Sequence, residues 1–258
     1  MNLDQYFAPA TLAIIAGIAI VAGLAHGTLG FGFPLISTPL VALLADVKTA
    51  VLVTVLPNIV VNLISILRGG RWRESLGKHW TLALWVVLGT LIGTRLLLTA
   101  RPEPLQILLA AMIIVFLLQD RLRQLDWSWV KRHPGIAGFG FGVTAGILSG
   151  AVNVALPPLV IYLLTLELSP IALTQTLNLC FISGKVVQAT SLVASDTTSV
   201  GLLEASLPLV PLAAISVFLG MGLQARISVD SYRALLRKAL GAMAVLLVAQ
   251  VAWELARG

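Results

Sequence analysis

The residues of this chain that could do chemistry are few, and most lie inside apolar runs. Asn58 and Asn62 stand one helical turn apart, and Gln175 and Asn178 stand three residues apart. Asn153 interrupts an apolar stretch, and Lys185 sits well inside another. Side-chain amides donate hydrogen bonds to oxyanions, but in lipid they also tie neighbouring helices together. A charge deep in a span faces a cavity or a partner, unless its long side chain snorkels to the surface; Lys185 is open to both readings. His26 is either a proton carrier, since imidazole titrates near neutral pH, or a hydrogen-bonded structural group. Arg95 and Arg226 fall at helix ends, as vestibule charges that draw anions in or as membrane-edge anchors. Donor amides and cations without carboxylates suit the binding of an anion better than the making or breaking of bonds.

Catalytic constellations are missing from the sequence. The three histidines, His26, His79 and His133, are scattered, which leaves no metal-ligand cluster. The stretch ILSGA (147–151) resembles the surroundings of a serine nucleophile, but no later segment supplies a histidine base. No phosphate-binding loop is present, so the chain does not itself consume ATP, and no cofactor is implied. The single cysteine, Cys180, is read as a small buried hydrophobe. The chain is therefore not expected to be an enzyme.

The elements that must position these residues are membrane helices. Of 258 residues, 58% are hydrophobic and only 11% charged, with a mean hydropathy of +0.98. A soluble chain carries about 25% charged residues to cover its surface, so lipid is the solvent for much of this one. Apolar segments are expected near 10–28, 33–45, 48–67, 78–98 and 104–120, then 135–151, 154–165, 169–193, 200–225 and 232–253. They do not alternate in polarity as barrel strands would. The start, MNLDQYFAPA, has no basic region, so the first run is expected to remain as a helix. The net charge of +6 resides in connections and sets topology; no basic-aromatic surface suggests nucleic acid. Basic residues gather in 68–79 (Arg68, Arg71, Arg73, Lys78), in 121–133 (Arg121, Arg123, Lys131, Arg132) and after the ninth segment (Arg226, Arg233, Arg237, Lys238). These connections are expected in the cytoplasm, which puts both termini outside.

The second and seventh segments are short. Twelve residues of helix reach about 18 Å, against a hydrocarbon core of roughly 30 Å. Each follows a break rich in Gly, Asn or Pro, GLAHGTLGFGFPLISTP (23–39) and SGAVNVAL (149–156). A broken helix is tolerated only where protein or a cavity surrounds it. The restarting helices would offer free N–H groups and a positive dipole end to an anion. The same glycines could instead serve only to pack helices closely. The halves also correspond in order: Gly27 with Gly146, Pro39-Leu40-Val41 with Pro158-Leu159-Val160, Thr54 with Thr174, Asn58 with Asn178, and Gly89 and Arg95 with Gly220 and Arg226. Five segments per half would place the second half upside down. The fold expected is an all-α polytopic membrane protein, an inverted repeat of five plus five segments, 1–133 and 134–258.

The Gly-rich stretch 23–39, its echo GFGVTAGILSGAVNVALPPL (140–159) and LGTLIGTRL (88–96) resemble the sulfite exporter TauE/SafE family, also called the 4-toluene sulfonate uptake permease family. The resemblance implies a secondary transporter in the cell inner membrane, an exporter of sulfite, sulfoacetate or another organosulfonate. It implies roles for Gly27, Gly30, Gly32, Phe33 and Pro39 in the first repeat and for Gly146, Gly150 and Pro158 in the second. The chain departs from the family's Gly-x-Gly-Gly pattern at AVNVAL (151–156), so the motifs identify the fold better than the substrate. Coupling to protons or cations and a homodimer stay open. The alternatives are transport of another small organic or inorganic anion, and a non-transporting membrane subunit or intramembrane enzyme.

Overall fold

Proline stands in the first turn of several helices. The computed structural model describes residues 7–69, 72–122, 124–195, 197–223, 238, 240–250 and 253. Helix α1 (Pro9–Leu29) begins on a proline, whose missing N–H costs nothing in a first turn, and ends at Gly30. Helix α2 (Phe33–Leu44) follows after two residues, and α3 (Val47–Gly69) and α4 (Trp72–Thr99) are long. Next come α5 (Pro102–Leu117) and two short helices, α6 (Gln119–Leu122) and α7 (Ser128–Arg132). The second half runs α8 (Pro134–Val152), α9 (Leu156–Thr165), α10 (Pro170–Val193), α11 (Thr197–Ala205), α12 (Leu209–Leu223) and α13 (Leu240–Gln250).

The chain is an all-α, multi-pass membrane protein with several apolar helices. Among the described residues, four helices are long and apolar enough to cross a membrane: Pro9–Leu29, Val47–Arg68, His79–Thr99 and Pro134–Val152. Helix α10 has 24 residues but carries buried Gln175, Asn178, Lys185 and Gln188, which lower its hydropathy. The outer faces are greasy, with Leu88, Leu91 and Ile92 on α4 and Ile215, Phe218 and Leu219 on α12 all exposed. Such contiguous apolar surface needs lipid rather than water around it.

Two features differ from expectation, and one segment is described only in part. The ninth segment is not one helix: α11 and α12 meet at a 49° bend. Pro208 lies in the gap between them, where its ring and missing N–H prevent continuation. The basic connection 68–79 is mostly helix, since α4 already starts at Trp72; Arg, Glu and Lys are good helix formers. The tenth segment is described over Leu240–Gln250 and at 238 and 253; the rest of 232–253 lies outside the described residues, as do Arg71, Arg123, Arg226, Arg233 and Arg237.

Glycines let the helices approach until backbones touch. The most extensive contacts join α4 to α8 and α1 to α12. A Cβ on Gly146 would lie 2.1 Å from the Val86 carbonyl oxygen, and one on Gly89 would lie 2.1 Å from that of Val143. Gly27 and Gly220 do the same between α1 and α12, at 2.2 Å from the Val217 oxygen and 2.3 Å from the Leu24 oxygen. Packing without side chains between them is how membrane helices gain van der Waals contact, since lipid supplies no hydrophobic drive between helices. Helices α3 and α10 meet each other inside this frame and also reach α12 and α4 respectively.

Candidate functional site

Both helix breaks turn through the left-handed region. Gly30 ends α1 at φ 80°, its N–H bonded to the His26 carbonyl at 2.7 Å, and Gly32 precedes α2 at φ 109°. Asn153 ends α8 at φ 63°. Asparagine is among the few residues besides glycine that adopt this geometry, because its short side chain bonds locally. The first break thus occupies 30–32 and the second 153–155, inside the stretches expected from sequence.

The Asn153 amide reaches across to the first half of the chain. Its Nδ2 donates to Thr38 Oγ1 at 2.8 Å and Thr54 Oγ1 at 3.0 Å, while its Oδ1 accepts from Asn58 Nδ2 at 3.2 Å. Asn62 Nδ2 in turn donates to the Asn58 backbone and side-chain oxygens at 2.6 and 2.7 Å. The first break is held in a related way. Asn178 Nδ2 on α10 donates to the Gly30 carbonyl at 2.7 Å. His26 Nε2 pairs with Ser65 Oγ at 2.9 Å, and His26 Nδ1 accepts the Phe33 N–H at 3.3 Å.

Lys185 does not snorkel. Only 1% of it is exposed, and its Nζ donates to the Ser149 carbonyl at 2.9 Å and to Gln188 Oε1. Gln188 Nε2 donates to the Gly150 carbonyl at 2.8 Å, which turns its oxygen toward the lysine. All of these acceptors are neutral. Among the described residues no carboxylate is buried, and no group of His, Cys, Asp or Glu could hold a metal ion.

A small cavity lies where the two breaks meet, lined by Gly32, Asn58, Ser149, Asn153, Phe181 and Lys185 with apolar neighbours from α2 and α9. Four of the residues singled out from sequence, Gly32, Asn58, Asn153 and Lys185, therefore share one space. His26, Gly30, Phe33 and Asn178 stand behind its wall and hold the first break. Gly27, Gly146 and Gly150 sit at helix crossings, facing backbone atoms of α12 and α4. Arg95 is exposed on α4, away from the cavity, and Arg226 lies outside the described residues.

The helix starts offer an anion less than expected. In α2 the Phe33 N–H goes to His26, Pro34 has none, and the Leu35 N–H bonds the Gly32 carbonyl at 3.1 Å. In α9 the first turn contains Pro157 and Pro158, which lack N–H groups. The positive group at the cavity is Lys185 instead. Sequence reasoning missed the parts that position it. Ser149 contributes a backbone carbonyl, which no side-chain pattern can signal, whereas Gln188, one turn beyond Lys185, was within reach of a helical reading.

A cation and amides lining a cavity between two broken helices, in a multi-pass membrane protein, is the arrangement of a secondary transporter for small anions. Over residues 15–251 the chain matches the family described as Sulfite exporter TauE/SafE, and it belongs to that family. Comparison with curated proteins and with solved structures finds no match.

Proposed function

We propose that this transporter exports a small sulfur-containing anion, such as sulfite, sulfoacetate or another organosulfonate, across the cell inner membrane by alternating access. The observation that carries this reading is the cavity at the two breaks, with the Lys185 amine at its wall and, among the described residues, no carboxylate to neutralise it. A buried cation needs a counter-charge, and a transported anion supplies one. The family description favours export of sulfite. Outward movement of an anion is helped by an inside-negative potential, at ~2.3 kcal/mol per charge per 100 mV.

In this proposal residues 1–133 and 134–258 are inverted repeats that rock against each other about the cavity. The helix contacts support an exchange symmetry: α1 with α12 mirrors α8 with α4, α3 with α12 mirrors α10 with α4, and α1 with α2 mirrors α8 with α9. So do the paired caps, since Asn178 holds the Gly30 carbonyl as Asn58 holds the Asn153 side chain. Basic Arg121, Lys131 and Arg132 between α5 and α8 belong on the cytoplasmic side, which leaves both termini outside.

The test is flux from loaded proteoliposomes under an imposed potential, with sulfite, thiosulfate, sulfate, sulfonates and acetate compared. Potential-driven release of at least one sulfur anion is expected, with loss in K185A. If none of these anions moves in correctly inserted protein, the transport reading fails.

A further inference from the structure

Gln188 is fully buried on α10, one turn beyond Lys185, and it does not line the cavity. Its amide spans two groups. Nε2 donates to the Gly150 carbonyl at 2.8 Å, and Oε1 accepts from Lys185 Nζ. The orientation is forced from both ends, because a carbonyl only accepts and an ammonium only donates. A reversed amide would set oxygen against oxygen and N–H against N–H.

The Gly150 carbonyl is free for this bond because α8 stops at Val152. In a continuing helix the Val154 N–H would serve it. Here that N–H turns to the Leu148 carbonyl, at 3.4 Å, around the left-handed Asn153. The second break thus supplies the anchor that aims Gln188, and Gln188 aims the amine.

An ammonium carries three N–H groups. Among the described residues, one goes to the Ser149 carbonyl at 2.9 Å and one to Gln188, which leaves one for a ligand in the cavity that Lys185 lines. Both fixed partners are neutral. A carboxylate at position 188 would reach the same amine, three residues away on one helix face, and would cancel its charge. The amide makes the bond and leaves the charge for an anion.

We propose that Gln188 is a positioning residue of this transporter: it fixes the Lys185 amine at the cavity wall without supplying a counter-charge, and so sets the affinity for the transported anion. This rests on the transport reading above. The test is the concentration dependence of potential-driven flux in proteoliposomes, with sulfite, thiosulfate, sulfate and methanesulfonate each as the carried anion. Q188E keeps an acceptor for Lys185 and adds a negative charge, whereas Q188M removes both bonds and adds no charge.

For the anions that wild type moves, Q188E should raise KM about 10- to 100-fold, the worth of a hydrogen bond to a charged group, with the maximal rate kept within about 3-fold. Q188M should raise KM less, about 2- to 10-fold, since the amine stays charged but loses one tether. A residue that only packed α10 against α8 would do the reverse. Its loss would lower the maximal rate at unchanged KM, because fewer molecules would be competent, and Q188M, which loses more bonds, would be the worse variant. Q188N keeps the amide but is one methylene too short to span Gly150 and Lys185. Its KM should rise as well, and it decides the matter if Q188E or Q188M fails to insert. Unchanged KM in the inserted variants, or a larger rise in Q188M than in Q188E, overturns the proposal while transport stands. If inserted wild type moves none of the four anions, both readings fail.

Discussion

Replacing Asn153 by glycine and by alanine separates what its side chain bonds from what its backbone demands. Asn153→Gly removes three side-chain hydrogen bonds, to Thr38, Thr54 and Asn58. At about 0.5–1.5 kcal/mol net per buried bond, the loss is roughly 1.5–4.5 kcal/mol. Glycine returns some of this, because φ 63° is free of strain without a Cβ. Asn153→Ala loses the same bonds and keeps a Cβ in the left-handed region, at a further cost of about 1–2 kcal/mol. The expected order of stability is wild type, then N153G, then N153A. Asn153→Asp tests the donors alone. It keeps an acceptor for Asn58 but turns two donors into acceptors, and the Thr54 hydroxyl already donates to the Ala50 carbonyl at 2.7 Å. N153D should therefore be no more stable than N153G. Reversible unfolding in mixed micelles measures the order, and counterflow in vesicles shows whether loosening the second break impairs transport. If N153A matches or exceeds N153G, or both lie within about 0.5 kcal/mol of wild type, this account of the break is refuted.

The helix crossings predict that G146A, whose Cβ would meet the Val86 oxygen at 2.1 Å, loses about 1–3 kcal/mol, while G140A, which meets nothing within 4 Å, is neutral or slightly stabilising; micellar unfolding decides. G32A has open space for its methyl but a φ of 109°, so it should lose about 1–2 kcal/mol from backbone strain and also slow flux by filling the cavity. Cys180 is fully buried, so the native chain is a quiet background for labelling, and D126C should react with an impermeant maleimide only from the cytoplasmic side; reaction in intact cells would invert the topology. Lys131 lies 2.5 Å from Glu167 and holds its carboxyl below the usual carboxylate range. With the folded value depressed, any stabilisation exists above the ordinary value and is lost as pH falls through the depressed one. Both groups are exposed, so K131A should alter melting only at low salt and only above that acid limb.

Part of the site was legible because lipid leaves so few reasons for polarity. Asn58, Asn153 and Lys185 stood out as polar groups within apolar runs, and the structure puts all three at one cavity. The short second and seventh segments followed from length alone, and the helices of 12 and 10 residues agree. The roles of the glycines were not legible. Gly32 sits at φ 109° on the cavity, whereas Gly146 is helical and pressed against α4, and both read as members of a Gly-rich stretch. The donors expected at the α9 start were lost to Pro157 and Pro158, which the segment PPL displays openly. That error weighed the helix dipole and overlooked which first-turn residues carry an N–H. The bend at Pro208 was hidden because the apolar run continues through it.

The two breaks share a scheme of contacts but not its chemistry. In each, the last turn of the first helix meets the third helix of its own half: His26 with Ser65, and the Ser149 carbonyl with Lys185. Each cap is then tied across to an asparagine of the opposite half, Gly30 to Asn178 and Asn153 to Asn58. On the inverted-repeat reading these are the same joints built twice. One joint is neutral and closed on itself, with both imidazole nitrogens engaged. The other presents an amine to the cavity with only neutral partners. A pair of equal repeats would hold the anion on the symmetry axis, indifferent to which half moves. On the same reading this chain fixes the counter-charge to α10 instead, so an anion bound there would belong to the second half. Exposure to either side of the membrane would then depend on how the first half, through Thr38, Thr54 and Asn58, opens or closes over it.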